Sequence, residues 1–264
     1  MRAQSRVVRG AFLAVLLPFT LVFCSESGTA DDPPWPAVQR ERSIAKWREL
    51  EEMQTRRLAG NPDLVDALSR RGDYRFFLGD FQGAVEDFEA MVRLNPDVDS
   101  AHWRLGIAYY YVGKPEQAAA QFDKYHSYDQ VDRENGIWRY LSHYRANGKE
   151  AARRELLKYE KDDREPFPAV YRLFAGETTP EKILADIASA DISKVERKSR
   201  EFYARLYIGL NFAAEGQPEQ AREHLREAVA NDWAHGAGYG PPWMWQVGRL
   251  QWELLEREKS SANP

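Results

Sequence analysis

Small and aromatic residues recur in this chain at a constant interval of 34 residues. The pairs that share this spacing are Gly72 with Gly106, Gly79 with Gly113, Ala84 with Ala118, and Phe88 with Phe122. Self-similarity at a period of about 20 to 50 residues is typical of chains that stack one supersecondary unit on its neighbours. Because each unit buries its apolar face against the next, the period predicts a stack of repeats rather than a globule with one central core.

The spacing inside each unit resembles the tetratricopeptide repeat, which pairs two helices in about 34 residues. Glycine and alanine stand where the two helices of a unit approach each other, and phenylalanine fills the space toward the next unit. Gly209, Ala221 and Leu225 repeat this arrangement later in the chain. We therefore predict an all-α fold, an α-solenoid of stacked helix–turn–helix repeats with N- and C-terminal capping helices. Such a stack usually serves as a surface that holds other proteins.

Turn signals and apolar periodicity divide the chain into consecutive segments. The predicted segments are a signal peptide over 1–30, a proline-rich linker over 31–43, a capping helix over 44–60, two repeats over 64–131, degenerate helix pairs over 133–190, a further repeat over 199–232, and a capping helix over 241–258. The first capping helix has a second interpretation, as an arm through which the protein forms a homodimer.

The N-terminus has the pattern of an export signal. Arginines at positions 2, 6 and 9 precede an apolar stretch over 11–23 that is short for a membrane span and is interrupted by Pro18. We therefore expect a protein outside the cytoplasm, periplasmic or secreted. Cys24, the only cysteine, follows directly. Either it is lipidated and anchors a membrane lipoprotein, or cleavage after Ala30 removes it; in both cases no disulfide holds the fold.

Charge and motifs argue against several functional classes. The net charge of −4 supplies no basic field for nucleic acid, and a lipid anchor at Cys24 would be the one contact with a membrane. The five histidines lack the spacing of a metal site, and no nucleophile elbow or phosphate-binding loop occurs. We therefore expect a protein that is not an enzyme, with no cofactor and no metal, whose partners are proteins or peptides.

The first helices of stacked pairs line the concave face of a solenoid, and aromatic residues and arginine most often anchor a partner there. The predicted protein-binding groove comprises Arg70, Phe76, Trp103, Arg104, Tyr110, Tyr111, Trp138, Tyr144 and Arg145. Arg104 and Arg145 are the strongest candidates, because a buried arginine without a partner is costly. For Trp138 and Tyr110, packing between helices is an equal alternative.

Aromatic residues also cluster around the glycine-rich segment before the last helix. This cluster comprises Trp233, Tyr239, Trp243 and Trp245. Packing at the end of the stack is one interpretation, and stacking on a sugar or peptide is the other. The second interpretation gives an alternative function, a cell-wall factor that binds glycan or peptide stems.

Beyond the repeats, the chain resembles the NlpI-like tetratricopeptide lipoproteins over roughly residues 44–258. The resemblance is carried by Ile137–Leu141, the degenerate pair over 171–187, Glu201–Tyr203 through Gly209, and Ala228–Asn231. Phe23 and the proline-rich start depart from the family's pattern. The resemblance implies an envelope adaptor, often dimeric, that holds proteases or cell-wall hydrolases. No residue of that family's binding surfaces transfers by a motif match.

Overall fold

The computed structural model describes residues 33–161 and 163–262, which form helices joined by short turns. The predicted signal peptide, Cys24 and the first two residues of the predicted linker lie outside the described residues. The helices are α1 Ala37–Gly60, α2 Val65–Leu78, α3 Phe81–Leu94, α4 Trp103–Tyr111, α5 Pro115–Tyr128, α6 Arg133–Asn147, α7 Lys149–Arg154, α8 Phe167–Ala175, α9 Pro180–Ser189, α10 Lys194–Ala214, α11 Pro218–Ala230 and α12 Gly240–Ala262. No strand occurs among the described residues.

The recurring glycines lie where the helices of a pair cross. A methyl group on Gly72 in α2 would stand 2.4 Å from the Phe88 ring of α3, and one on Gly106 would stand 2.7 Å from the Phe122 ring. Both rings are fully buried. The interval of 34 residues therefore reflects one contact made twice, a glycine of the first helix against a phenylalanine of the second. The predicted all-α solenoid of stacked helix pairs is confirmed.

Turns between paired helices also follow the period. Gly79 ends α2 with φ +83°, and Gly113 follows α4 with φ +74°. This left-handed backbone strongly favours glycine and closes the end of a helix without strain. The Asp80 side chain then accepts a hydrogen bond from the Gly83 N–H and caps the start of α3.

The N-terminal helix is longer than predicted. It begins at Ala37 rather than at residue 44, so residues 37–43 of the predicted proline-rich linker are helical. Pro36 precedes its first turn, where proline is well tolerated. Trp47 of this helix packs on Phe77 of α2, with ring centroids 5.6 Å apart. The sequence pattern missed the first two turns because they carry few apolar residues.

Candidate functional site

Arg104 of the predicted groove has a partner inside the protein. Its Nη1 atom lies 2.7 Å from both carboxylate oxygens of Asp73, and its Nη2 atom donates to the Ser69 hydroxyl at 3.0 Å. Burial raises the pKa of the Asp73 carboxyl, and the Arg104 guanidinium opposes that rise. This ion pair joins α4 to α2, so the Arg104 guanidinium is engaged within the protein, and its place in a protein-binding groove stays a prediction.

Arg145 is also held by its own chain, although it is exposed. Its guanidinium donates to the Tyr110 carbonyl oxygen at 3.0 Å and lies over the Tyr110 ring, 4.9 Å from the centroid. A cation over an aromatic face contributes about 0.5–1 kcal/mol at exposed sites. Arg145 thus secures α6 against α4, and only part of its surface remains for a partner.

The aromatic residues of the predicted groove divide by exposure. Phe76, Tyr110 and Trp138 are buried, so the prediction that Phe76 lines an open groove is wrong and packing is the role found for Tyr110. Trp103, Tyr111 and Tyr144 stay partly accessible, and Arg70 is exposed. Tyr111 is stacked on Phe81 with centroids 4.9 Å apart.

The chain's own last helix covers the concave side of α2 and α4. The Trp243 ring of α12 stacks on Phe76 at 4.5 Å and meets Trp103 edge-on at 4.9 Å. Its Nε1–H donates to Asp73 at 2.9 Å, so the same carboxylate that holds Arg104 also holds α12. The C-terminal helix is therefore more than a cap on α11, because it occupies the surface that the sequence assigned to a partner.

A buried ion pair on α12 connects this helix to α1 and α2. Arg249 is 2% exposed; it donates to the Phe77 carbonyl oxygen at 2.6 Å and lies 3.1 Å from the Glu253 carboxylate. Glu253 in turn binds Arg40 of α1 at 3.0 Å. Sequence reasoning missed these residues, although an arginine and a glutamate four residues apart on an apolar helix face indicate a pair that needs a partner surface.

An open pocket remains where the N-terminal ends of α4, α6 and α12 meet. It encloses about 130 Å³. Trp138 forms a buried wall, Trp103 and Tyr125 form half-buried walls, and Tyr239, which is 65% exposed, stands at the edge. The remaining polar wall is the first turn of α6, with Asp132 and Glu134. The pocket therefore joins two predicted groove residues, Trp103 and Trp138, with acidic residues that the sequence analysis did not select.

Asp132 caps the first turn of α6 through its side chain. Asp132 accepts from the Glu134 backbone N–H at 2.9 Å and from the Asn135 side chain at 2.6 Å. Burial, opposed by Arg164, raises the pKa of the Asp132 carboxyl to about 6.

Glu134 carries the more strongly perturbed carboxyl group. It accepts from the Tyr207 hydroxyl, and it binds Arg164 at 2.8 Å. Burial, reinforced by the charge of Asp132 and opposed by Arg164, raises the pKa of the Glu134 carboxyl to about 7. The pocket wall therefore changes its charge near neutral pH.

The C-terminal aromatic cluster is mainly part of the core. Trp243 and Trp245 are buried, and the Trp245 Nε1–H donates to the Val229 carbonyl oxygen at 2.9 Å. Trp233 packs against Phe202, with centroids 5.8 Å apart. Tyr239 is the one ring of this cluster that is largely exposed. Packing is the interpretation that the geometry favours, because Trp243 and Trp245 are buried and Trp233 is partly buried.

Among residues 33–161 and 163–262, no cluster of histidine, cysteine and carboxylate side chains is arranged to hold a metal ion. In the same part of the chain, no helix combines the length and apolar character that crossing a membrane requires.

Comparisons with known proteins identify the repeats. Tetratricopeptide-repeat family models match residues 69–131, which hold most of α2 and all of α3 to α5, and residues 203–232, which hold the second half of α10 and all of α11. The chain is also similar to the crystal structure of a tetratricopeptide repeat protein from Parabacteroides merdae. That structure shares 16% sequence identity, has a TM-score of 0.46, and matches over 82% of this chain and 80% of its own. The predicted repeats are confirmed by the family models.

Proposed function

We propose that this protein is an exported scaffold, without enzymatic activity, that holds other proteins at the open part of its concave face. Stacked helix pairs of this kind typically supply extended binding surfaces rather than catalytic groups. The observation that carries the proposal is the pocket between α4, α6 and α12. It is concave, aromatic and accessible, while α12 covers Phe76 elsewhere in the predicted groove.

The location and the partners of the scaffold rest on the sequence. The basic and apolar leader supports export, with Cys24 either lipidated or removed. The resemblance to the NlpI-like lipoproteins supports partners among envelope proteases or cell-wall hydrolases, and it supports a homodimer. Mass spectrometry of the mature N-terminus tests the leader, and light scattering of the purified protein tests the dimer.

Site-specific crosslinking tests the scaffold function. A photoreactive amino acid replaces Tyr239 at the pocket edge in one variant and Val38 on α1 in the other. These residues are 65% and 59% exposed, so the control is similar in accessibility. We expect discrete crosslinked proteins from a cell-envelope extract with the probe at position 239 and not at 38. Equal capture at both positions, or none at 239, contradicts binding at this face.

A further inference from the structure

The pocket between α4, α6 and α12 has the chemistry of a site for a positively charged group. The carboxylates of Asp132 and Glu134 lie on its polar wall, and their side chains are 19% and 15% exposed. A carboxylate of this kind is partly desolvated, so its attraction for a cation is stronger than that of a carboxylate in bulk water.

Carboxyl groups crowd the acidic wall of the pocket. The groups that act on Glu134 are the negative Asp132 and Asp163 and the positive Arg164, whose Nη2 lies 2.8 Å from the Glu134 carboxylate. Arg164 is 4.0 Å from Asp132 and 3.3 Å from Asp163, so it serves three carboxylates at once. Burial, together with this crowding, raises the pKa of the Glu134 carboxyl to about 7, and a cation in the pocket would relieve the repulsion and favour the charged form of Glu134.

The aromatic walls favour the same class of ligand. A cation over the face of tryptophan or tyrosine is attracted by the ring, and this attraction grows when the site excludes water. Trp103, Tyr125 and Tyr239 supply accessible rings around the acidic wall. The apolar parts of these rings also accommodate the methylene stem of a long side chain.

We propose that this pocket binds the cationic side chain of a lysine or arginine presented by a partner protein, an inference that rests on the proposed scaffold function. The enclosed space of about 130 Å³ is suited to the end of one side chain rather than to a folded element. The exposed Tyr239 edge faces solvent, so the backbone of the partner would run outside the pocket.

Two small probes and one peptide test the ligand class. The probes are acetyl-lysine methylamide, with its ammonium free, and the norleucine analogue, which lacks that charge; the peptide holds one lysine between glycine and serine residues. Binding is followed through the indole N–H resonances of Trp103 and Trp138. We expect the lysine probe and the peptide to shift these resonances and the norleucine probe to bind at least about tenfold more weakly. Equal binding of the two small probes would overturn the inference.

A matched set of variants tests the carboxylates. Asp132→Asn retains a good helix N-cap, and Glu134→Gln retains an acceptor for Tyr207. The double variant should bind the lysine peptide at least about tenfold more weakly, while Glu52→Gln, an exposed carboxylate on α1, should bind within about twofold of the parent protein. Thermal unfolding confirms that each variant is folded. A folded double variant with unchanged affinity refutes the role of the acidic wall.

The outcomes separate this inference from the scaffold function. If the Asp132→Asn, Glu134→Gln double variant still gives crosslinked partners at position 239, the scaffold function is supported and the cation-binding pocket is refuted. Absence of any crosslinked partner at 239 removes the scaffold itself. A free lysine amide that binds more tightly than the lysine peptide overturns the assignment to a partner protein and indicates a small amine instead.

Discussion

Gly72→Ala tests whether the crossing of α2 and α3 explains the recurring glycines. The added methyl group would stand 2.4 Å from the Phe88 ring, well inside the normal contact distance, and that ring is fully buried. Overpacking of a core typically costs about 1–3 kcal/mol, and the severity of this clash places the cost near the upper value. Alanine recovers about 1 kcal/mol of helix propensity. We therefore expect a net loss of about 2 kcal/mol in the free energy of unfolding.

Urea unfolding followed by circular dichroism measures this loss. Gly60→Ala is the matched control, because Gly60 also lies in a helix but has no atom within 4 Å of an added methyl group. It should be neutral or up to about 1 kcal/mol more stable. Phe88→Leu should weaken the penalty of Gly72→Ala in a double-mutant cycle. If Gly72→Ala unfolds at the same urea concentration as the parent protein or higher, the close approach of α2 and α3 is not what requires glycine there.

Three further predictions concern the ion pairs and the pocket. Arg249→Met should lower the free energy of unfolding by about 3 kcal/mol, because Glu253 and the Phe77 carbonyl lose a buried donor; urea unfolding beside the exposed control Arg257→Met measures it. Asp73→Asn should cost about 2 kcal/mol, because Arg104 and Trp243 share that carboxylate; a Tm equal to that of the parent protein contradicts this. Glu134→Gln should gain stability relative to the parent protein as pH rises from about 4.5 to about 7, because the pKa of the Glu134 carboxyl is higher in the folded state than in the unfolded state. Urea unfolding at several pH values measures this difference, which should not grow further above about pH 7.

The repeat contacts could be predicted from the sequence because they are local and recur. Gly72 and Phe88 lie in consecutive helices, α2 and α3. Their contact therefore depends only on these two helices and on the short connection between them. The rule that a buried arginine needs a partner was also sound for Arg104. Its partner, Asp73, lies 31 residues earlier in the preceding helix pair, and the repeat period does not indicate which residue of that pair it meets.

The course of α12 could not be predicted in the same way. Trp243 and Asp73 are 170 residues apart, and no spacing rule connects two positions so distant along the chain. The pocket depends on this contact, since Tyr239 and Met244 reach α6 only because α12 lies against α2 and α4. Asp132 and Glu134 looked like ordinary residues of a helix start, because aspartate and glutamate are common there. Their burial arises from the approach of α10 and the segment around Arg164.

Contact between the two ends of the described chain changes how the whole stack should melt. In an open array, terminal units fray one after another, and stability approximates a sum over neighbours. Here Arg40 meets Glu253, and Trp35 meets Trp245, so neither end can peel away without breaking bonds to the other. These contacts between the first and last described helices restrict the curvature of the stack. We therefore expect cooperative unfolding of the whole stack rather than fraying that proceeds repeat by repeat.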